Sequence, residues 1–122
     1  MSVLKSTVTE LGPDAFFDDY PILILFNDSA PPGLREVCVF HLCEVDAIPL
    51  NFLSKGSKIV FGNQEYLIVD IGEVVSSTLH ELGHMTLYFG LDEGAELMAG
   101  AALLSPYKVP SVKVGDVIQF IQ

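Results

Sequence analysis

Tryptophan is absent from this chain of 122 residues, and positive charge is scarce: six Lys and Arg stand against sixteen Asp and Glu, a formal charge of −10. That deficit argues against a phosphate-backbone partner, since nucleic-acid binding rests on clustered Lys and Arg. It suits solubility, or encounter with basic partners by electrostatic steering. Cysteine is nearly missing too. Cys38 and Cys43 are five positions apart, so on a strand they point to opposite faces and cannot pair locally. Free thiols in a reducing compartment are the expectation. Long apolar runs are also lacking: Ile22-Leu23-Ile24-Leu25-Phe26 falls far short of the ~20 residues of a membrane helix. The opening "MSVLKSTVTELG" lacks the charged-then-apolar form of a secretion signal. With half its residues hydrophobic, the chain reads as one cytoplasmic domain over 1–122 with a dense core, neither inserted in a membrane nor bound to nucleic acid.

Repeats, linkers and low-complexity stretches do not occur, and most of the chain reads as strand. "SVLKSTVTEL" mixes β-branched with polar residues, and "PILILF" is an apolar run opened by proline. "NDSAPPG" has the composition of a loop. "LREVCVFHLCEV" begins with a helical turn and becomes rich in Val and Phe. "KIVFGNQEYLIVDIG" predicts two strands joined by a tight turn at Gly62-Asn63-Gln64-Glu65, and "HMTLYFG" a further strand. "SVKVGDVIQFI" predicts two short extended runs around Gly115. "DEGAELMAGAALLSP" is ambiguous, with helix formers interrupted by two glycines. Many short strands between turn signals point to a small barrel or sandwich.

Within Leu79–His84 the chain spells "HELGH", which matches the H-E-x-x-H pattern of zinc hydrolases. Two histidines four apart on one helical face can share a metal, with the glutamate as general base. Val75, Leu79 and Leu82 have helical spacing, and Thr78 with Glu81 forms a capping box that would start the helix just before His80. Gly83 stands where a C-terminal cap would stand, followed by strand-like residues. A helix ending there separates His80 from His84. A third ligand is lacking as well: Leu87 and Gly90 occupy the positions where the longer zinc pattern has Gly and His, and Glu93 or Glu96 could serve only from a folded-back helix. The expectation is therefore no bound metal and no other cofactor.

The stretches "LILFNDSAPPGLREVCVFH" and "ELGHMTLYF", with the closing "VKVGDVIQF", are similar to the IIA component of the glucitol/sorbitol phosphotransferase system. The resemblance runs over essentially the whole chain. Ala30-Pro31, the Cys38-x-x-His41 pair and Glu81-Leu82-Gly83-His84 are its most specific points. It implies a mainly β fold, a small closed Greek-key β-barrel with one or two short helices. It also implies a phosphocarrier that takes a phosphoryl group from the histidine of HPr and passes it to a cysteine of the IIB component of a IIB/IIC sugar permease. The phosphorylated histidine of the family falls on His41, and His84 matches a second histidine that could support it. The stretch "HLCEVDAIPLNFLSKGSK" departs most from the family pattern.

Read from the residues, His41 fits that chemistry. Neutral imidazole is a good nucleophile near pH 7, and its second nitrogen can be fixed by a hydrogen bond. On a strand it shares a face with Val37, Val39, Cys43 and Val45, an apolar setting that excludes water. A histidine on an apolar face also serves as a hydrogen-bonded core residue. A sugar- or protein-binding β-module with a structural His41 is therefore the alternative, ahead of the zinc hydrolase. His84 could donate to the phosphoryl group, orient His41 or satisfy a turn. "PDAFFDDY" reads as a packed loop or a recognition loop.

Overall fold

The computed structural model describes residues 3–16, 21–27, 36–43, 52–82, 84–90 and 96–122, with the backbone alone at 43 and 80–82. Among them are eight strands and one helix: β1 Val3–Leu11, β2 Ile22–Phe26, β3 Val39–Cys43, β4 Lys58–Phe61, β5 Gln64–Ile71, α1 Val75–Leu82, β6 Met85–Tyr88, β7 Ala101–Ser105 and β8 Val117–Ile121. The strands close in the order β1-β3-β2-β6-β7-β5-β4-β8, a barrel with no open edge. Two neighbour pairs, β2 with β3 and β6 with β7, run parallel. The expected closed barrel is what forms.

Period-two alternation decides which side chains enter the barrel. Leu4 and Val8 of β1, Leu23 and Leu25 of β2, and Ile118 and Phe120 of β8 all point into one core. Phe61, Tyr66 and Phe89 form an edge-on aromatic group there, with centroids 5.0–6.4 Å apart. Each such fully buried apolar side chain contributes about 1.5–3 kcal/mol relative to exposure. Tyr66 donates its hydroxyl to the Lys108 carbonyl, so its one polar atom is satisfied. Register shifts between Val8 and Glu10, and between Ile68 and Asp70, are bulges that help the wall curve.

Several local expectations need correction. The β4–β5 turn is the two residues Gly62-Asn63, since Phe61 already pairs with Gln64. Gly62 takes φ +63°, the positive value a II′ turn needs at its first central position. The ambiguous stretch ends as strand β7, although Ala-Ala-Leu-Leu favours helix; docking between β6 and β5 overrides propensity. Residues 111–113 are not a strand. They lead into a turn closed by Lys113 N–H to the Asp116 carboxylate at 2.9 Å.

Helix α1 begins at Val75, three residues before the expected capping box, and Val75 and Leu79 enter the core. Its start is set by tertiary partners. The Ser76 hydroxyl accepts from Leu53 N–H at 3.2 Å. Gly72 lies so close to the next turn that a Cβ would sit 2.2 Å from the Ala99 carbonyl oxygen. That approach allows Gly72 N–H to reach the Ala101 carbonyl and Val74 N–H the Ala99 carbonyl, at 2.8 and 3.0 Å.

Candidate functional site

His41 lies in β3 directly opposite Val8 of β1, and pairing residues share a face. Val8 points inward, so His41 does too, and it has no solvent exposure. Val39 lies two residues away on the same inner face. Val37 does not. It precedes the strand and packs outside with Phe26, Cys38 and Phe40.

One hydroxyl stands beside the imidazole. Ser6 occupies the inward position of β1 between Leu4 and Val8, and it too is fully buried. Its register partner is Cys43, so Ser6 and His41 are diagonal neighbours across the strand pair. The Ser6 Oγ lies 2.5 Å from His41 Nδ1. Phe120 of β8 stands on the same inner face, its ring centroid 6.1 Å from that of His41 and tilted by 46°. The ring is therefore aimed by a hydroxyl at Nδ1 and flanked by apolar groups. Chemically, this arrangement can hold one tautomer of a neutral imidazole and keep bulk water from it.

Ser6 was not singled out by sequence reading. A signal for it existed: it is a small polar residue at the one inward position of Leu4-Lys5-Ser6-Thr7-Val8 that is not apolar. Knowing that it meets His41, 35 residues away, required the register.

His84 is placed differently. Helix α1 ends at Leu82, so His84 lies outside it. Thr78 closes the exit: its hydroxyl donates to the His84 carbonyl at 2.7 Å, and its own carbonyl accepts from His84 N–H at 3.2 Å. The imidazole Nδ1 lies 3.0 Å from the Leu25 carbonyl, which can only accept, so the proton is on Nδ1. The ring packs on Phe26 at 4.8 Å, within the cluster on the outer side of the wall. The structure thus does not bring His84 onto the face of His41. The expected break between His80 and His84 is present, with His80 in the helix and His84 beyond it.

Cys38 is a free thiol with no exposure, and burial pushes its pKa up, away from the reactive thiolate. Surface hollows gather Gln64, Ser111, Lys113 and Asp116 in one place and Asp70, Glu73 and Glu96 in another. Neither reaches His41 or His84. From "PDAFFDDY", Ala15 is packed in the core and Phe16 is exposed, while 17–20 lie outside the described residues. Ala30-Pro31, Val45 and Glu93, which sequence reading also named, lie outside them as well.

Comparison with known proteins agrees with this architecture. The family described as "PTS system glucitol/sorbitol-specific IIA component" matches residues 3–119. Proteins of that description from Escherichia coli (strain K12) and Shigella flexneri are each 33% identical to the chain over 123 residues, covering 97% of it and 94% of their own length. A crystal structure of a PTS system IIA component from Enterococcus faecalis V583 superposes with a TM-score of 0.86 at 26% identity. It covers 97% of this chain and 99% of that one.

Proposed function

The chain belongs to the glucitol/sorbitol-specific IIA family of the phosphotransferase system, and we propose that it carries the phosphoryl group on His41. A component of this family is a phosphotransferase that works with other proteins of the same system. The finer reading is a relay in the cytoplasm. HPr donates from its phosphohistidine, His41 holds the group, and a cysteine of the IIB component of a glucitol/sorbitol-type permease accepts it.

The observation that carries the reading is the environment of His41. Its Nδ1 is engaged by Ser6, and Val8, Val39 and Phe120 surround it on the inner face. Phosphoryl transfer asks little covalent chemistry of a protein beyond a positioned nucleophile. An apolar surrounding also protects a phosphoimidazole from hydrolysis between donor and acceptor. Because the ring has no exposure at rest, transfer runs through a transiently opened state in which donor and imidazole meet. The charge of −10 favours encounter with a basic docking face on the donor. His84, fixed on the outer side by Leu25 and Phe26, holds the exit of α1 against β2 and does not touch the transferred group.

The relay is tested by its second half. Phosphorylated protein, freed of the donor, is mixed with a glucitol/sorbitol-type IIB domain. Loss of the label from this chain and its appearance on the IIB cysteine is expected. Retention of the label in the presence of competent IIB contradicts the proposal.

A further inference from the structure

Resting on the reading of His41 as phosphoryl carrier, we propose that Asn27 also belongs to the site, its side-chain amide donating hydrogen bonds to the oxygens of the phosphoryl group held there. Strand register brings the two residues together. β2 and β3 run parallel, with Leu25 beside Val39 and Phe26 beside Phe40. One residue further along both strands sets Asn27 beside His41. Alternation agrees with this. Leu23 and Leu25 point into the core and Phe26 packs outside with Phe40, so the next residue turns inward, as His41 does. Asn27 is half-buried, just past the end of β2.

The other half of the barrel shows where a side chain at this position goes. Strands β4, β5, β6 and β7 repeat the pairing of β8, β1, β2 and β3. Val8 opposite His41 corresponds to Ile68 opposite Leu104, each followed by a bulge, and Leu25 beside Val39 corresponds to Leu87 beside Ala102. Gly115 N–H reaches the Val8 carbonyl and Gly56 N–H the Ile68 carbonyl, both at 2.9 Å, with φ of +95° and +93°. By the same pairing Leu104 takes the place of His41, Tyr66 that of Ser6 and Phe61 that of Phe120. Phe89, the residue after β6, takes the place of Asn27, the residue after β2. Phe89 is buried, and its ring centroid lies 5.0 Å from that of Tyr66. The equivalent turn carries the Asn27 amide toward Ser6 and His41. Where one half holds Leu104, Tyr66 and Phe89, the half with the histidine thus holds three polar side chains.

In the transfer an imidazole nitrogen of His41 bonds to phosphorus as the donor's N–P bond breaks, and the electron pair of the broken bond returns to the donor ring. Asn27 gains and loses no proton. Its N–H groups meet the negative charge spread over the phosphoryl oxygens. At rest Asn27 has another partner, which it exchanges for one of those oxygens. A neutral donor suits a carrier, because a charge-assisted bond is roughly twice as strong and the group must leave again for its acceptor.

The test uses 15N-labelled full-length protein before and after transfer from phosphorylated HPr. In wild type the Asn27 side-chain amide resonances are expected to move downfield and to couple to phosphorus through the hydrogen bond. Asn27→Ala, first checked for an unchanged folded spectrum, should take up the label on His41 about 100- to 1,000-fold more slowly, the loss typical of one transition-state donor. Asn27→Asp keeps the size, replaces the donor with a like charge and should be at least as slow. Amide resonances that stay in place while His41 is fully labelled, or either folded variant transferring at the wild-type rate, overturn the role of Asn27 while His41 remains the carrier. No label on His41 in wild type removes the carrier reading itself, and the role of Asn27 falls with it.

Discussion

His41 and His84 stand on opposite faces of one barrel wall, the first turned inward onto Ser6 and the second outward onto Phe26. Family resemblance pairs them, whereas the geometry sets them against different partners. His84→Ala therefore removes the Leu25 hydrogen bond and the Phe26 contact, and a destabilisation of about 1–2 kcal/mol is expected. Urea unfolding measures it. Phosphorylation of His41 should survive in this variant, and its abolition in folded protein would place His84 in the transfer itself.

Burial makes the two rings differ in reactivity. Diethyl pyrocarbonate should modify partly exposed His84 before His41, whose reaction waits for local opening. Peptide mapping over a time course gives both rates. Equal, fast modification of His41 would mean that the ring is accessible at rest.

Much of the fold is legible in the sequence, because alternating Val, Ile, Leu and Phe in β1, β2, β5 and β8 fix both strand and inward face. Propensity fails at Ala101–Ser105, where neither β-branching nor aromatic content marks a strand and only neighbours on both sides make one. The start of α1 fails for a related reason. Thr78 and Glu81 form a proper capping pattern, yet Ser76 on Leu53 and the Gly72 approach to Ala99 set the helix earlier. Thr78 then serves the other end of the helix, on the His84 carbonyl. Of the candidate site, the histidine and Val39 on its strand face can be read from residues, but Val37 packs on the other side and the serine beside the ring depends on long-range register.

The closeness at Gly72 yields a stability prediction. Gly72→Ala forces a Cβ to within 2.2 Å of the Ala99 carbonyl oxygen, so the backbone must shift. Overpacking of this kind costs typically about 1–3 kcal/mol. Thermal unfolding should show the loss, and an unchanged midpoint would mean that the two turns separate freely.

Alkaline pH should weaken the fold. Burial raises the pKa of both Cys38 and Tyr66, so between the unfolded and folded values the native state holds protons that the unfolded state has lost. Stability is then complete below the ordinary thiol pKa of about 8.5 and declines as pH rises through the ordinary tyrosine value near 10. Unfolding midpoints from pH 7 to 10.5 measure the slope. A rise over that range would contradict the burial of both groups. Native Cys38 should also resist alkylation until denaturant is added.

The break between α1 and His84 bears on the "HELGH" match. Protein dialysed against zinc and then against buffer is expected to retain no stoichiometric metal by elemental analysis, because the two histidines do not share a helix. One zinc per chain, lost in His80→Ala, would restore the hydrolase reading.

The most direct test of the central claim is the position of the phosphoryl group. The protein is incubated with phosphoenolpyruvate, enzyme I and HPr, and the acid-labile label is located by mass spectrometry under alkaline conditions. A single phosphoryl group on His41, absent from folded His41→Ala and retained in His80→Ala, is the predicted result. A label mapped to His84 or His80, or a fully labelled His41→Ala protein, would contradict it.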